Sequence, residues 1–349
     1  MGSSLEIRAA VLHLDRNSVL SREKLEESIT AFLEGTDNFI RKTNLNIIGK
    51  RLVTPPFRVS EAQVAVKLLT EVAETNGINY VGVPLMGTNA AEITELLESY
   101  PRLYTSVEYD PEEESENLEM LRKVAEKSYL QATRFAVSFG PRPETPYFPV
   151  TQSLVQGVTL SLLYVNVFRD SRPAELVNLL EKLQNNAESS WPNFLGIDYS
   201  LSPWMEQSVA RLVEARSGVI FTLPGTITII RRLNEELESI SRRLKSKGFN
   251  EVMLPLAEDN RLKELAKNEQ LKFSHLLNYA TYCVAGLDMV VIPDSTENNI
   301  LKGILRDMWY IHLYKKRTIG MRLILAPAQE GDEIDLGMFG KTPVISPLM

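Results

Sequence analysis

Residues 194–202, FLGIDYSLS, join an apolar run to a cluster of polar side chains, and a proline and a tryptophan follow. The run has the length and composition of a buried strand. Similar runs recur along the chain, and most are followed by a segment with helical periodicity. A repeated strand–helix pattern is typical of a parallel sheet covered by helices, so the sequence predicts an α/β fold.

The absence of a linker or composition shift favours a single domain over residues 1–349. About ten apolar runs predict one closed βα barrel of about ten strands, with a doubly wound α/β sheet as the alternative. Two helix starts carry clear signals: Ser60 and Gln63 form a capping-box pattern, and Asp110-Pro111 opens an acidic first turn. The predicted strands are EIRAAVLHL, LNIIGKRLV, NYVGVPL, LYTSVEY, TRFAVSF, FLGIDYS, GVIFTL, EVMLPL, LDMVVIP and MRLILA.

The composition is that of a globular protein, with 349 residues, 44% hydrophobic and 24% charged, and a formal net charge of −7. An acidic chain is not expected to bind nucleic acid or anionic membranes, and no apolar stretch approaches the ~20 residues of a membrane span. The N-terminal stretch lacks the basic and apolar regions of a signal peptide. The chain has one cysteine, which excludes an intrachain disulfide. We therefore expect a cytoplasmic protein.

Polar, proline-rich loops follow many of the predicted strands. In βα-repeat folds the carboxyl ends of the strands face one way, and ligands bind there. The sequence therefore predicts a site at the C-terminal rim of the barrel, which binds a small polar or anionic metabolite. The candidate ligand-binding residues are Arg51, Thr54, Arg58, Tyr147, Tyr199, Ser200, Ser202, Asp294, Ser295 and Thr296.

Asp198 is the candidate catalytic residue. A carboxylate at the end of a barrel strand can bind a substrate hydroxyl or a hard cation, or act as a base if its pKa is raised. The alternative is that Asp198 caps a helix or pairs with an arginine. Arg51 and Arg58 flank the TPPF loop, where a guanidinium suits a carboxylate or phosphate, or a structural ion pair. Ser202-Pro203 is also an ordinary helix entry.

Other charged and polar groups have simpler interpretations. Asp294, Ser295 and Thr296 precede a helix, where an anion site and an ordinary cap have the same pattern. Asp259 is expected to cap the following helix, and Asp288 to make a structural bond inside the barrel. The acidic run at residues 330–335 could hold a divalent metal, but a solvated loop is the more common explanation of such a run.

Several ordered blocks carry a family resemblance: ETPYFP, GIDYSLSP, VMLPLAEDNRL, NYATYCVAGLDMVVIP and GMFGKTPVI. Together they resemble the domain-of-unknown-function family 711, from about residue 45 to the C-terminus. That family is similar in fold to the barrel of pyruvate formate-lyase-like glycyl radical enzymes, with about ten strands. The resemblance implies the same barrel here.

The resemblance does not imply radical chemistry. The C-terminal segment DLGMFGKTPVI lacks the pattern around a radical glycine, so no glycyl radical is expected. Cys283 has no nearby thiolate-stabilising groups in sequence and is interpreted as core packing. This chain also departs from the family after Pro293, where the turn glycine is missing, and after Pro149, where Val150-Thr151-Gln152 replaces a run of small residues.

Two functions are consistent with these patterns. The first is an acid–base enzyme with Asp198 as the central group, Arg51 or Arg58 as anion anchors, and a small-molecule ligand, with a divalent metal left open. The second is a non-catalytic binding or assembly protein on a degenerate enzyme scaffold. Such barrels often pair, so we expect a homo-oligomer in either case. An open cavity beside a desolvated Asp198 and an arginine favours the first function.

Overall fold

Strands and helices alternate along residues 5–348, which the computed structural model describes. The predicted α/β class is therefore confirmed. The strands are β1 (Glu6–His13), β2 (Lys50–Val53), β3 (Phe57–Arg58), β4 (Tyr80–Gly82), β5 (Leu85–Met86), β6 (Leu103–Glu108), β7 (Phe135–Phe139), β8 (Gly157–Leu163), β9 (Phe194–Asp198), β10 (Leu287–Pro293), β11 (Ile319–Ala326), β12 (Glu333–Asp335) and β13 (Lys341–Pro343).

Amphipathic helices connect the strands and bury their apolar faces with the sheet in one main hydrophobic core. The helices are α1 (Arg16–Val19), α2 (Arg22–Thr43), α3 (Val59–Thr75), α4 (Ala90–Ser99), α5 (Glu114–Lys127), α6 (Val165–Asp170), α7 (Pro173–Glu188), α8 (Val209–Ser217), α9 (Thr226–Arg243), α10 (Asn260–Lys267), α11 (Phe273–Tyr279) and α12 (Asn298–Lys315). None of the helices in this described part of the chain is long and apolar enough to cross a membrane.

The main sheet has nine strands in the order β10-β11-β7-β6-β4-β2-β1-β8-β9. Neighbouring strands are parallel except at two joints, β1 with β8 and β7 with β11, which are antiparallel. The strands β1, β2, β4, β6 and β7 therefore run in one direction, and β8, β9, β10 and β11 run in the other.

This topology corrects the expectation that the carboxyl ends of all strands face one way. The loop after β2 lies at one end of the sheet, whereas the loops after β9 and β10 lie at the opposite end. The predicted single C-terminal rim is therefore divided between two ends of the molecule. Strand direction depends on long-range pairing, which the local pattern of a strand–helix repeat does not reveal.

Most of the predicted strands lie within the sheet, but three local predictions differ from it. The run GVIFTL is a turn in which the Phe221 N–H donates to Glu214 Oε1 at 2.9 Å. The strand β8 was not predicted, because GVTLSLL alternates hydroxyl and apolar side chains and has no helix pattern before it. Ser60 lies inside α3 and does not form the predicted capping box, whereas Asp110 accepts a hydrogen bond from the Glu112 N–H as expected.

The predicted strand EVMLPL forms isolated bridges and no strand of its own. The Met253 N–H donates to the Leu201 carbonyl at 3.0 Å, and the Leu254 N–H donates to the Ala285 carbonyl at 3.0 Å. Residues 252–254 therefore lie between the extension of β9 and the residues just before β10. Because each bridge is isolated, this segment is not a tenth strand, and the sheet has nine strands where a closed barrel of about ten was expected.

The segment between β7 and β8, residues 140–156, is called here the interior loop. Phe148 packs with Ala9 and Val11 of β1, and Val150 would contact any side chain at Gly320 of β11. Most side chains from position 142 to 153 are buried. Because strands β1 and β11 lie far apart in the sheet order and both contact this loop, the sheet curves around it.

Replacing Gly320 with alanine is expected to destabilise the protein. A Cβ at this position would lie 2.8 Å from Val150 Cγ2, and overpacking of this kind costs about 1–3 kcal/mol. The variant G303A is the matched control, since Gly303 lies in α12 with nothing near its Cβ, and alanine is the better helix former. Urea unfolding measures both changes.

The double variant with Gly320→Ala and Val150→Ala tests the cause of that loss. If the contact with Val150 is responsible, the double variant loses less stability than the sum of the two single variants, because neighbouring sites couple. Additive losses would contradict the close approach.

Candidate functional site

A cavity of about 180 Å³ lies beside the interior loop. It reaches the surface next to Ile48 and Met338, which are 46% and 56% exposed. The charged side chains that line it are Arg8, Arg51, Glu258, Asp288 and Arg322, and the aromatic ones are Tyr80, Tyr104, Tyr147, Phe148, Trp204, Phe249 and Phe339.

The sheet topology explains why these residues meet. Arg51, Tyr80 and Tyr104 lie at or near the start of β2, β4 and β6. Because β8 and β9 run in the opposite direction, Leu163 at the end of β8 and Ser202 just after β9 reach the same region. The antiparallel joint between β1 and β8 therefore places residues from strand starts and strand ends in one cavity.

A buried ion-pair network forms part of the cavity wall. Arg8 pairs with Glu258, and its Nη1 also donates to the Pro203 carbonyl at 2.6 Å. Arg322 pairs with Asp288 through Nε and Nη2, with the Nη2–Oδ2 distance at 2.6 Å. The same Nη2 lies 3.1 Å from Glu258 Oε1. The four side chains therefore balance two positive charges against two negative ones.

The network favours the charged forms of Glu258 and Arg322, whereas burial outweighs the neighbouring arginine at Asp288 and raises the pKa of that carboxyl. Burial opposes the charge on Glu258, but the adjacent guanidiniums of Arg8 and Arg322 more than offset this and lower its pKa. Burial likewise opposes the charge on Arg322, and Asp288 and Glu258 raise its pKa above the ordinary value. A buried ion pair of this kind is stable only while its partners are all present.

Arg51 differs from these arginines, because none of the carboxylates in residues 5–348 pairs with it. Its guanidinium carbon lies 5.0 Å from the Phe148 ring centroid and 5.9 Å from that of Tyr80. Its Nη1 donates to the Pro146 carbonyl at 3.3 Å, and its fully buried Nε has no hydrogen-bond partner. Burial, with a smaller contribution from the charge of Arg8, lowers the pKa of Arg51 to about 10.

Two further predicted ligand-binding residues, Tyr147 and Ser202, also line the cavity. The Tyr147 hydroxyl donates to the Leu162 carbonyl at 3.4 Å, and burial raises the pKa of this phenol. Both side chains are more than 90% buried. Arg51, Tyr147 and Ser202 are therefore brought together by the fold, although they are far apart in the sequence.

Asp198 lies outside the cavity lining and is fully buried. Its Oδ1 accepts hydrogen bonds from Ser200 and from the Asn250 N–H, at 2.6–3.0 Å. Its Oδ2 accepts hydrogen bonds from Thr145 Oγ1 and the Phe249 N–H, each at 2.8 Å. Burial raises the pKa of Asp198, while these hydrogen bonds act in the opposite direction. The carboxylate thus ties the interior loop and residues 249–250 to β9.

The neighbours of Asp198 are also engaged in internal contacts. Ser200 Oγ accepts a hydrogen bond from the Glu251 N–H at 3.1 Å, in addition to its bond to Asp198. The Tyr199 carbonyl accepts a hydrogen bond from the Tyr164 hydroxyl at 2.6 Å, and the Tyr199 side chain is buried in the main core. Neither residue lines the cavity.

The remaining predicted residues do not join this cavity. Thr54 is buried, and its hydroxyl donates to the Pro55 carbonyl at 2.9 Å. Arg58 is exposed at the start of α3. Near the start of α12 the side chains of Asp294 and Ser295 are exposed, and the Thr296 hydroxyl donates to the Pro293 carbonyl at 2.7 Å.

Residues 5–348 contain no group of three or more His, Cys, Asp or Glu side chains that could hold a metal ion. In the acidic run, Asp332 accepts a hydrogen bond from the Gln329 N–H, and Glu333 pairs with Lys267. Cys283 is fully buried, and burial raises the pKa of its thiol to about 12, which confirms the packing interpretation. Asp259 caps α10 as expected.

Sequence reasoning missed Arg8, Arg322 and Glu258. Arg8 and Arg322 each interrupt an otherwise apolar strand, in EIRAAVLHL and MRLILA. A charge in a buried strand requires a partner, and this signal could have indicated a polar interior. Asp288 does make the expected structural bond, and its partner is Arg322.

A family model and several related proteins match parts of this chain. The family described as Uncharacterised ACR (DUF711) matches residues 170–337. The resemblance to family 711 is confirmed. The family 711 region carries Asp198, Glu258, Asp288 and Arg322, whereas Arg51 lies before it.

The similar proteins carry the name UPF0210, which denotes the same family as family 711. A UPF0210 protein of Methanopyrus kandleri is 25% identical over 93% of this chain and 85% of its own length. A UPF0210 protein of Thermoanaerobacter sp. is 28% identical over 51% of this chain and 39% of its own. A UPF0210 protein of Methanosarcina mazei is 30% identical over 43% of this chain and 34% of its own length. The matched stretch thus spans little more than a third of these last two relatives.

Proposed function

We propose that the protein binds a small organic anion in the cavity, with Arg51 as the anchoring residue. The observation that supports this is the guanidinium of Arg51, which faces the cavity without a carboxylate partner and has a buried, unpaired Nε. The two other arginines of the lining share Glu258 and Asp288. One positive charge is therefore left over, and a bound anion would balance it.

The Nε and Nη2 side of the Arg51 guanidinium has the geometry to bind a carboxylate. Its Nη1 is engaged with the Pro146 carbonyl, and a ligand would use Nη2 together with Nε, which is enclosed here and would be reached after a small shift of the side chain. The same pair of nitrogens binds a carboxylate at Arg306, where Nε and Nη2 both donate to Glu114. Two parallel N–H···O bonds of this kind are among the stronger hydrogen bonds in proteins.

Replacing Arg51 with methionine is expected to weaken binding of acetate or inorganic phosphate by about 10- to 100-fold. This is the loss for a hydrogen bond to a charged group, about 1.5–3 kcal/mol. The ligand-free protein should lose only a little stability. The substitution removes the hydrogen bond to the Pro146 carbonyl and the contacts with the Phe148 and Tyr80 rings, but it leaves no carboxylate in residues 5–348 without a partner. Titration calorimetry and urea unfolding measure the two effects.

The matched control is Arg8→Met, which removes another cavity arginine. This change leaves Glu258 with Arg322 alone, so it should lower the free energy of unfolding by more than R51M does. The proposal fails if Arg51→Met binds anions as tightly as the unsubstituted protein.

The prediction that Asp198 is a catalytic residue is separate from the proposal of anion binding at Arg51. The hydrogen bonds to Asp198 occupy both of its oxygens, and no arginine contacts it within residues 5–348, so its contacts favour a positioning role over that of a base. The non-catalytic alternative fits a cavity that lacks an activated nucleophile, and in that case the ligand would regulate or stabilise the protein. The expected homo-oligomer also stays a prediction.

We also propose that the nine-stranded sheet belongs to a closed barrel of about ten strands. The support comes from residues 245–254, which hydrogen-bond β9 and its extension on one side and residues 284–285 on the other. Counted as a strand, this segment would link the two edges of the sheet. It would also bring the sheet to ten strands, five in each direction, and about ten is the number that the resemblance to the pyruvate formate-lyase-like barrel implies.

A further inference from the structure

We infer that the anion bound beside Arg51 is a monocarboxylate carrying a single aromatic ring, a conclusion that rests on the proposed function. The inference adds the size, the charge and the shape of the ligand, and each comes from a different property of the cavity.

The volume sets the size of the ligand. The cavity measures about 180 Å³, whereas an engineered apolar cavity of about 150 Å³ in another protein takes up benzene. One six-membered ring with a carboxylate therefore fits inside the cavity. A ligand as small as acetate would leave most of the apolar lining in contact with water.

The lining favours a ring over a saturated body. Tyr80 and Tyr104 meet edge to face with ring centroids 5.1 Å apart, and the Tyr104 and Phe148 centroids lie 5.6 Å apart. Trp204 and Phe339 form a second edge-to-face pair at 5.9 Å. A flat aromatic ligand can join such groups, and each aromatic pair contributes about 0.5–1.5 kcal/mol beyond the apolar area that it buries.

The charges limit the ligand to a single carboxylate. Arg51 supplies one uncompensated positive charge, and Glu258 and Asp288 stand in the same lining with their own partners. A second carboxylate on the ligand would approach these groups without a cation to receive it. The cavity therefore discriminates against dicarboxylates by charge repulsion.

Titration calorimetry with benzoate, cyclohexanecarboxylate, acetate and phthalate tests the inference. Benzoate is expected to bind two- to tenfold more tightly than cyclohexanecarboxylate, which corresponds to one added aromatic pair. Acetate should bind more weakly than both ring acids, and phthalate should bind at least tenfold more weakly than benzoate.

Two variants test separately how the aromatic ring and the charge of the ligand contribute to affinity. Tyr80→Leu alters a partly exposed side chain, so folding is preserved. It should lower benzoate affinity more than acetate affinity, because both acids lose the contact between Tyr80 and Arg51 but only benzoate loses the ring contact. Arg51→Met should weaken binding of every carboxylate. If acetate or cyclohexanecarboxylate binds as tightly as benzoate, the aromatic inference is overturned and the anion site stands. If no carboxylate binds to the unsubstituted protein, both proposals are overturned.

Discussion

Replacing Asp198 with alanine is expected to lower the free energy of unfolding by about 3–5 kcal/mol. The carboxylate accepts the N–H groups of Phe249 and Asn250 together with the hydroxyls of Thr145 and Ser200. Each buried donor left without a partner costs about 1–3 kcal/mol, and local relaxation recovers part of the sum. Most single substitutions cost about 0.5–3 kcal/mol, so this loss lies at or above the upper end of the usual range.

Asp294→Ala is the matched control for Asp198→Ala. Asp294 is also an aspartate after a strand and was also a predicted site residue, but its side chain is exposed. Its replacement should change stability by no more than about 0.5 kcal/mol. Urea unfolding followed by circular dichroism compares the two. Equal, small losses would show that the hydrogen bonds to Asp198 contribute little, and would return the residue to consideration as a catalytic group.

Arg322→Met is expected to have an effect of similar size, also about 3–5 kcal/mol, for a different reason. The substitution leaves Asp288 as a buried charge without its partner, and Glu258 with Arg8 alone. Removing one member of a buried ion pair typically costs this much, because the remaining charge is neither solvated nor balanced.

The double variant Arg322→Met with Asp288→Asn distinguishes this cause from a simple packing loss. Neutralising Asp288 removes the unbalanced charge, so the double variant should be more stable than Arg322→Met alone, as measured by urea unfolding. A double variant that is less stable than the single one would show that packing around Arg322 matters more than charge.

The fold class could be predicted because strand and helix have different apolar periods, and that difference is local. The strand β8 was missed because its hydroxyls, among them Thr159 and Ser161, break the apolar run. Those hydroxyls are buried inside the protein, and Thr159 lies 2.8 Å from His13 Nε2. A polar interior cannot be distinguished from a solvated face by alternation alone.

The candidate site was predicted in part. Arg51, Tyr147 and Ser202 line one cavity, but Arg58 and Asp294, which have the same kind of loop signal, lie elsewhere. The difference is set by which strands are antiparallel, and pairing between β1 and β8 involves residues about 150 positions apart in the chain. Local sequence carries no record of that pairing.

The interior loop behaves as core, although it has no regular secondary structure. Surface loops usually absorb insertions and deletions because they have room to do so. Between Pro146 and Pro149 an added residue would displace packed strands. Leu154 and Val155 have side chains that are 66% and 51% exposed, but both of their N–H groups donate to Oε1 of the buried Glu144, which fixes the backbone there as well. Attempts to engineer new ligand specificity into this protein should therefore exchange side chains at positions 146–149 and keep the length of the loop unchanged.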